Sequence, residues 1–219
     1  MVLMRGAERP ARTTYDIPGV GRLPRVSTIL ATIANPGIVA WKLKVGSDEA
    51  GRISKAATDH GTRTHRSLEL VSLEFSRAGI YVTPGEDADL HQSIRAYQEW
   101  LDAHVERVVA TERLCVSRQH LYAGTCDAVL ELRDGSLAVV DYKTSKVGPW
   151  GMDPAFRCQL AAYRLALAED GLICQRRIVL QLPSNEPGRL IVHELTEHRK
   201  DTEAFLNLLA LYRWLEAHR

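Results

Sequence analysis

No apolar run in these 219 residues approaches the ~20 needed to cross a bilayer. The opening stretch MVLMRGAERPARTTYD also lacks the apolar centre of a secretory signal. An intracellular protein with no membrane partner is the expectation. Charge of one sign is missing too. Twenty-eight Lys plus Arg against 27 Asp plus Glu leave +1, so bulk electrostatics does not gather a polyanion, and any such surface has to come from local clustering. Cysteine is sparse. Cys115, Cys126, Cys158 and Cys174 are spread out with no C-x-x-C pair, which argues against a cysteine-held cluster, and disulfides are not expected inside a cell. Internal repeats and low-complexity tracts are absent as well. What remains is an ordinary globular composition, 45% hydrophobic and 25% charged, sized for one substantial core.

The informative residues lie near the middle of the chain. From Leu121 to Leu132 the run LYAGTCDAVLEL alternates apolar and polar residues, Arg133-Asp-Gly-Ser136 supplies a turn, and Leu137-Ala-Val-Val-Asp-Tyr-Lys143 is a second β-rich run. This predicts a hairpin. Residues i and i+2 of a strand share a face, so Asp141 and Lys143 point one way and Tyr142 the other. Asp127 on the partner strand is placed to meet Asp141. Two carboxylates that converge repel unless a cation lies between them, and hard oxygen ligands suit Mg²⁺ or Mn²⁺. An ammonium two residues from such a carboxylate can orient a water or neutralise charge on phosphate oxygens. A D-x-K tripeptide alone is common on solvated strands. Here it closes the apolar run Leu137 to Val140, where a charged pair is costly without a function.

The order Gly124-x-x-Asp127, Asp141-x-Lys143-Thr144-Ser145 and Gln159-x-x-x-Tyr163 resembles the PD-(D/E)xK nuclease superfamily, within it the RecB-like exonuclease branch. Upstream, Arg25-Val-Ser-Thr-Ile-Leu30, Pro36, Trp41 and Gly61-Thr-Arg-Thr-His65 with Glu69 are similar to the amino-terminal helical region of that branch, as found in phage, mitochondrial-genome-maintenance and CRISPR-associated exonucleases. The likeness spans about residues 24 to 165. It implies that His65, Asp127, Asp141 and the carbonyl of Tyr142 hold the metal and that Lys143 is the catalytic lysine, with Glu112 a further acidic group at the site. Asp141 stands where relatives often carry Glu. Gln159 and Tyr163, one helical turn apart, support the site or touch DNA. Thr144, Ser145, Lys146, Arg66 and Trp150 are further candidates for DNA contact, Trp150 as a stacking platform or as an anchor of its loop on the core. Lys55, Arg63 and Arg157 extend the candidate basic rim. Some relatives bind an iron–sulfur centre through one upstream and three clustered downstream cysteines, a pattern this chain lacks.

The elements expected along the chain are an arm or early hairpin over 1–23, a helix from Ser27, as N-cap, to Ala34, and a short helix near Trp41. Helix follows over 48–78, interrupted near Gly61, and over 88–109, where Leu90, Ile94, Tyr97, Leu101 and Val105 form one stripe. A strand over 111–118 precedes the hairpin, and a helix over 154–169, strands over 175–182 and 189–195 and a last helix over 202–218 complete the chain. The expected fold is α/β: a restriction-endonuclease-like mixed sheet flanked by helices, in a single domain with an arm (1–23), a helical region (24–110) and a catalytic core (111–219). The function implied is a Mg²⁺- or Mn²⁺-dependent deoxyribonuclease, an exonuclease on single-stranded or frayed ends. A structure-dependent or nicking endonuclease and a non-catalytic nucleic-acid-binding protein are the competing readings. Recombination, helicase or replication partners, roles in DNA repair, and a cytoplasmic setting in a bacterial or phage-infected cell follow from the same resemblance.

Overall fold

The architecture comes from a computed structural model that describes residues 13–33, 36–78, 88–147 and 151–218. A small hairpin, β1 (Thr14–Ile17) and β2 (Gly21–Pro24), leads into the short helix α1 (Val26–Leu30). Two helices follow, α2 (Pro36–Val45) and the long α3 (Ser47–Ala78), then a single 3₁₀ turn (Ala88–Leu90) running into α4 (His91–His104). The second half alternates β3 (Val105–Ser117), β4 (Tyr122–Leu132), β5 (Leu137–Lys143), α5 (Pro154–Glu169), β6 (Arg176–Gln181), β7 (Ile191–Glu194) and α6 (His198–Ala217).

β3 to β7 form one sheet in sequence order, antiparallel at every step except β5 to β6. That parallel step needs a long crossover, and α5 supplies it. The sheet is covered on both faces. One face packs against α1, α5 and α6 through residues such as Val129, Val139, Leu160, Tyr163, Phe205 and Leu209. The other packs against α3 and α4 through Leu130, Val140, Tyr142, Leu68, Ile94 and Tyr97. The result is the mixed α/β fold with an amino-terminal helical region that the motif order implies. Among the described residues, no helix is long and apolar enough to cross a membrane.

Several element boundaries differ from expectation. The helix before the sheet stops at His104, and Val105–Val109 belong to β3, because three β-branched valines in five residues favour the extended backbone. Ser27 does not cap α1. Arg25, extended at φ −75° and ψ 143°, takes the N-cap position without a side-chain cap, and the helix ends at Leu30. Gly61 does not interrupt α3, which runs unbroken past it. A Cβ there would come within 3.3 Å of Thr144 Oγ1, so the small residue lets the helix pass close to the end of β5.

A buried hydroxyl relay joins the α3/α4 layer to β5. Ser72 Oγ donates to the Leu68 carbonyl at 2.8 Å, which leaves it to accept from Tyr97 (2.7 Å), and Tyr97 in turn to accept from Tyr142 (2.6 Å). On the other face Arg177 is completely buried within β6. Its guanidinium donates to Asp201 Oδ2 (2.7 Å), His198 Nδ1 (3.0 Å) and the carbonyls of Arg157 and Leu195 (each 3.2 Å). The start of α6 is thereby bolted to the sheet. Arg177→Ala leaves Asp201 a buried, partly orphaned charge, so the expected loss is about 3–5 kcal/mol of unfolding free energy. Urea denaturation of the two proteins measures it, and a loss below about 1 kcal/mol would show the network to be dispensable.

Candidate metal centre

The site begins where β4 and β5 part. Their ladder runs from Glu131–Leu137 to Ala128–Val140 and stops there, although β4 continues to pair with β3 and β5 with β6. The main-chain N–H of Tyr142 donates instead to the Asp127 carboxylate, Oδ2, at 2.7 Å. A side chain thus takes the place of the missing carbonyl. β4 changes face at the same point: Cys126 and Val129 lie in one apolar layer, Ala128 and Leu130 in the other. Across from it on β3, Glu112 adopts φ 44°, a left-handed conformation costly for a residue with a Cβ. The strict alternation expected for this hairpin therefore fails at Asp127 and holds along β5.

That irregularity brings three ligand types together. Asp127 Oδ1 lies 3.2 Å from Nδ1 of His65, which α3 delivers from the opposite layer. Ligand atoms of His65, Glu112 and Asp127 all fall within 4.8 Å of one another. Burial works against a charged His65, but the adjacent Asp127 charge and hydrogen bond, with Asp141 beyond, hold its pKa above the ordinary value. Asp127 is buried as well, yet His65, Lys143 and the Tyr142 N–H hold its carboxyl below the usual range.

Asp141 and Lys143 share the α5 side of β5, as the i, i+2 spacing requires. The ammonium stands 2.5 Å from Asp141 Oδ2 and 4.5 Å from the centre of the Phe156 ring. Gln159 is their bracket: its Oε1 accepts from Lys143 (3.0 Å) and its Nε2 donates to Asp141 Oδ1 (3.0 Å) and to the Tyr163 hydroxyl (3.0 Å). Tyr163 is itself buried, against Gly124. A Cβ at Gly124 would lie 2.5 Å from the Tyr163 ring and 3.0 Å from Val26, which explains the glycine three residues before Asp127. Asp141 is not among the three clustered ligands. Burial, partly offset by Lys143 and reinforced by Asp127, pushes its pKa up to about 6.

Other expected residues are dispersed. Thr144 faces Gly61. The carbonyl of Ser145 accepts from Gln181, while Ser145, Lys146 and Arg66 are exposed. Three of the rim cations already have carboxylate partners: Lys55 with Asp59, Arg63 with Asp89 and Arg157 with Asp201. Trp150 lies outside the described residues. Residues not expected at the site line its cleft as well, among them Tyr15 from the β1–β2 hairpin and Arg25 at the start of α1. Arg25 opens the segment that bears a likeness to the family, but the sequence assigns neither residue a role at the site. Only the fork, which lets Arg25 bridge to Ala123 on the freed edge of β4, brings them in.

The residues fit a hard divalent cation. One imidazole and two carboxylates converge, and Asp141 Oδ2 is buried without a hydrogen bond, the nearby ammonium notwithstanding. An oxygen-rich donor set with one histidine suits Mn²⁺ or Mg²⁺ better than a thiophilic ion. The four cysteines are buried free thiols in the core and contribute nothing to it.

Comparison with known families matches residues 44–212 to the family model described as the PD-(D/E)XK nuclease superfamily. Among solved structures, the one described as the crystal structure of SSO0001 matches with 15% identity and a TM-score of 0.47, covering 87% of this chain and 75% of that one. Comparison with curated proteins finds no match.

The charges set a pH dependence. Asp141 has a raised folded-state pKa, about 6, so it takes up a proton on folding and its contribution grows as pH falls through that value. His65, also raised, is most stabilising below its unfolded value and loses that contribution as pH rises through the folded one. Asp127, lowered, withdraws stability only below the ordinary carboxylate range. These site groups should therefore add stability on acidification from about pH 7.5 to about 5, against the opposite pull of His193 and His198, whose pKa values burial lowers, so the metal-free melting temperature of the parent should gain on that of Asp141→Asn over this range. Added Mn²⁺ should raise it most at the alkaline end, where the ligands are deprotonated. A parent that loses ground to Asp141→Asn over this range would contradict the assignment.

Proposed function

The chain belongs to the PD-(D/E)XK nuclease superfamily, and we propose that it is a Mg²⁺- or Mn²⁺-dependent deoxyribonuclease that works from single-stranded or frayed ends. The observation that carries the reading is the convergence of His65, Asp127, Asp141 and Lys143 on one cleft of about 170 Å³. His65, Glu112 and Asp127 would hold the metal, with Asp141 and the Tyr142 carbonyl completing its surroundings. When bound, the cation supplies Lewis acidity toward a phosphodiester oxygen and lowers the pKa of water.

The protein's own groups do the rest. Lys143, fixed by Gln159 and Asp141, orients the attacking water and offsets negative charge that grows on the phosphate oxygens. Water attacks phosphorus in line and gives up a proton to solvent, the opposite P–O bond breaks, and the departing oxygen takes up a proton from solvent. Gln159 keeps Lys143 and Asp141 in register, and buried Tyr163 keeps Gln159 in place, so both support the site from beneath. Tyr142 aims Asp127 through its N–H. Thr144, Ser145, Lys146 and Arg66 border the path of the strand, the last two as exposed cations that add sequence-independent affinity. A cleft bounded by α3 on one side and by the β1–β2 hairpin on the other favours a strand that enters by its end. The RecB-like branch, and a place in recombination or repair beside a helicase or replication partner, are consistent with this chemistry and rest on the motif resemblance.

End-labelled linear single-stranded DNA and closed circular single-stranded DNA, incubated with Mg²⁺, Mn²⁺ or EDTA, test the reading. The linear substrate should be degraded with metal alone, and Lys143→Ala should slow that by about a hundredfold or more. Cutting of the circle would make the protein an endonuclease. Inertness toward both, with Mn²⁺ binding intact, would leave a binding role.

A further inference from the structure

Arg25 is a cleft residue two of whose guanidinium nitrogens find no hydrogen-bond partner in the described protein. It stands between β2 and α1, with its N–H bonded to the Thr13 carbonyl at 3.1 Å and its backbone bridged to Ala123 in the fork of the sheet. Its guanidinium carbon lies 4.5 Å from the centre of the Tyr15 ring, and Tyr15 is tied to Thr125 by a 2.9 Å hydroxyl–hydroxyl bond. The side chain is therefore held. Yet Nε and Nη2 are both buried without a hydrogen-bond partner.

The contrast with Arg177 is direct: that guanidinium, completely buried where Arg25 is half-buried, has every nitrogen engaged. In the cleft, the acids are already committed. Asp127 serves His65 and Tyr142, and Asp141 serves Lys143 and Gln159. A planar cation with two idle nitrogens, lining the same cleft as Lys143 and with no carboxylate partner among the described residues, is built for an external oxyanion with two acceptor oxygens.

We propose that Arg25, positioned by Tyr15, grips the non-bridging oxygens of one phosphate of the bound strand, so that the β1–β2 hairpin and the start of α1 form the phosphate-holding wall of the cleft. The inference rests on the nuclease reading for the identity of the ligand, and on the idle donors for the residue. Tyr15 is a positioning residue in this arrangement and makes no contact with the strand.

The test is binding and cleavage of single-stranded oligonucleotides by the full chain, with Arg25→Gln and Arg25→Lys beside the parent. Binding is measured by fluorescence anisotropy in Ca²⁺ and in EDTA across a range of salt. Arg25→Gln should weaken binding about tenfold and reduce the salt slope by about one, with Mn²⁺ affinity unchanged. Arg25→Lys, which keeps the charge and loses the fork, should fall between. A scan of the strand with single neutral methylphosphonate linkages should find one position that reproduces the loss in the parent and adds nothing in Arg25→Gln. A lowered melting temperature in both variants with binding and salt slope unmoved would make Arg25 a packing residue and overturn the proposal, as would neutral linkages that act alike on parent and variant. The two readings fail separately. A parent that cleaves, with Arg25→Gln indistinguishable in KM and kcat, sinks the phosphate grip alone; a parent that never cleaves but binds in an Arg25-dependent way sinks the nuclease and keeps the grip.

Discussion

The molecule turns on the point where β4 and β5 separate. A sheet that loses a ladder in its interior must satisfy the freed N–H and C=O groups some other way, and here Asp127 does so by accepting the N–H of Tyr142. That hydrogen bond aims the carboxylate into the fork, where His65 from α3 and Glu112 from β3 meet it. The same opening admits Arg25, Val26 and Tyr163 around Gly124. Were the ladder to continue by one pair, Asp127 would sit in ordinary strand register and the cleft would close. The left-handed backbone of Glu112 is part of the cost of the interruption.

Charge balance explains why such a site suits a cation. Two buried aspartates and a glutamate face one histidine and one lysine, and burial penalises each ionised group. The protein's partial remedy is to share charge, lowering the pKa of Asp127 through His65 while that of Asp141 drifts upward. A divalent ion resolves the conflict by giving every carboxylate a partner. The hydroxyl relay from Tyr142 to the Leu68 carbonyl keeps the helix that brings His65 aligned with the strand that brings Asp141.

Much of this was legible before any coordinates. The hairpin, α5 and the two strands after it follow from alternation and turn residues, and Asp141 with Lys143 on one face follows from strand geometry alone. The order of the motifs pointed to the family. What stayed hidden depends on the third dimension. Alternation cannot announce that β4 changes face at Asp127, because the signal is a change in packing partner, with no change of residue type. Val105–Val109 read as helix because the stripe of α4 runs on into them, while their β-branched side chains decide for strand. Arg177 looks like a solvated strand residue until Asp201, twenty-four positions later, is brought beneath it. Arg25 lies in a segment whose likeness to the family was legible, but its place in the cleft was not, since that is set by a backbone bridge nearly a hundred residues along the chain.

Among the described residues the sheet also has two open margins, β3 and β7, and an open sheet edge exposes a protein to pairing with a second polypeptide chain. β7 offers a margin of only four residues. β3 is long, but its register slips twice, between Val105 and Arg107 and again between Val108 and Ala110, and exposed Glu106 and Arg107 project from the first of these irregularities. Bulges and charge together deny a second chain a flat template. The irregular start of β3 thus protects the protein against self-association through its own sheet.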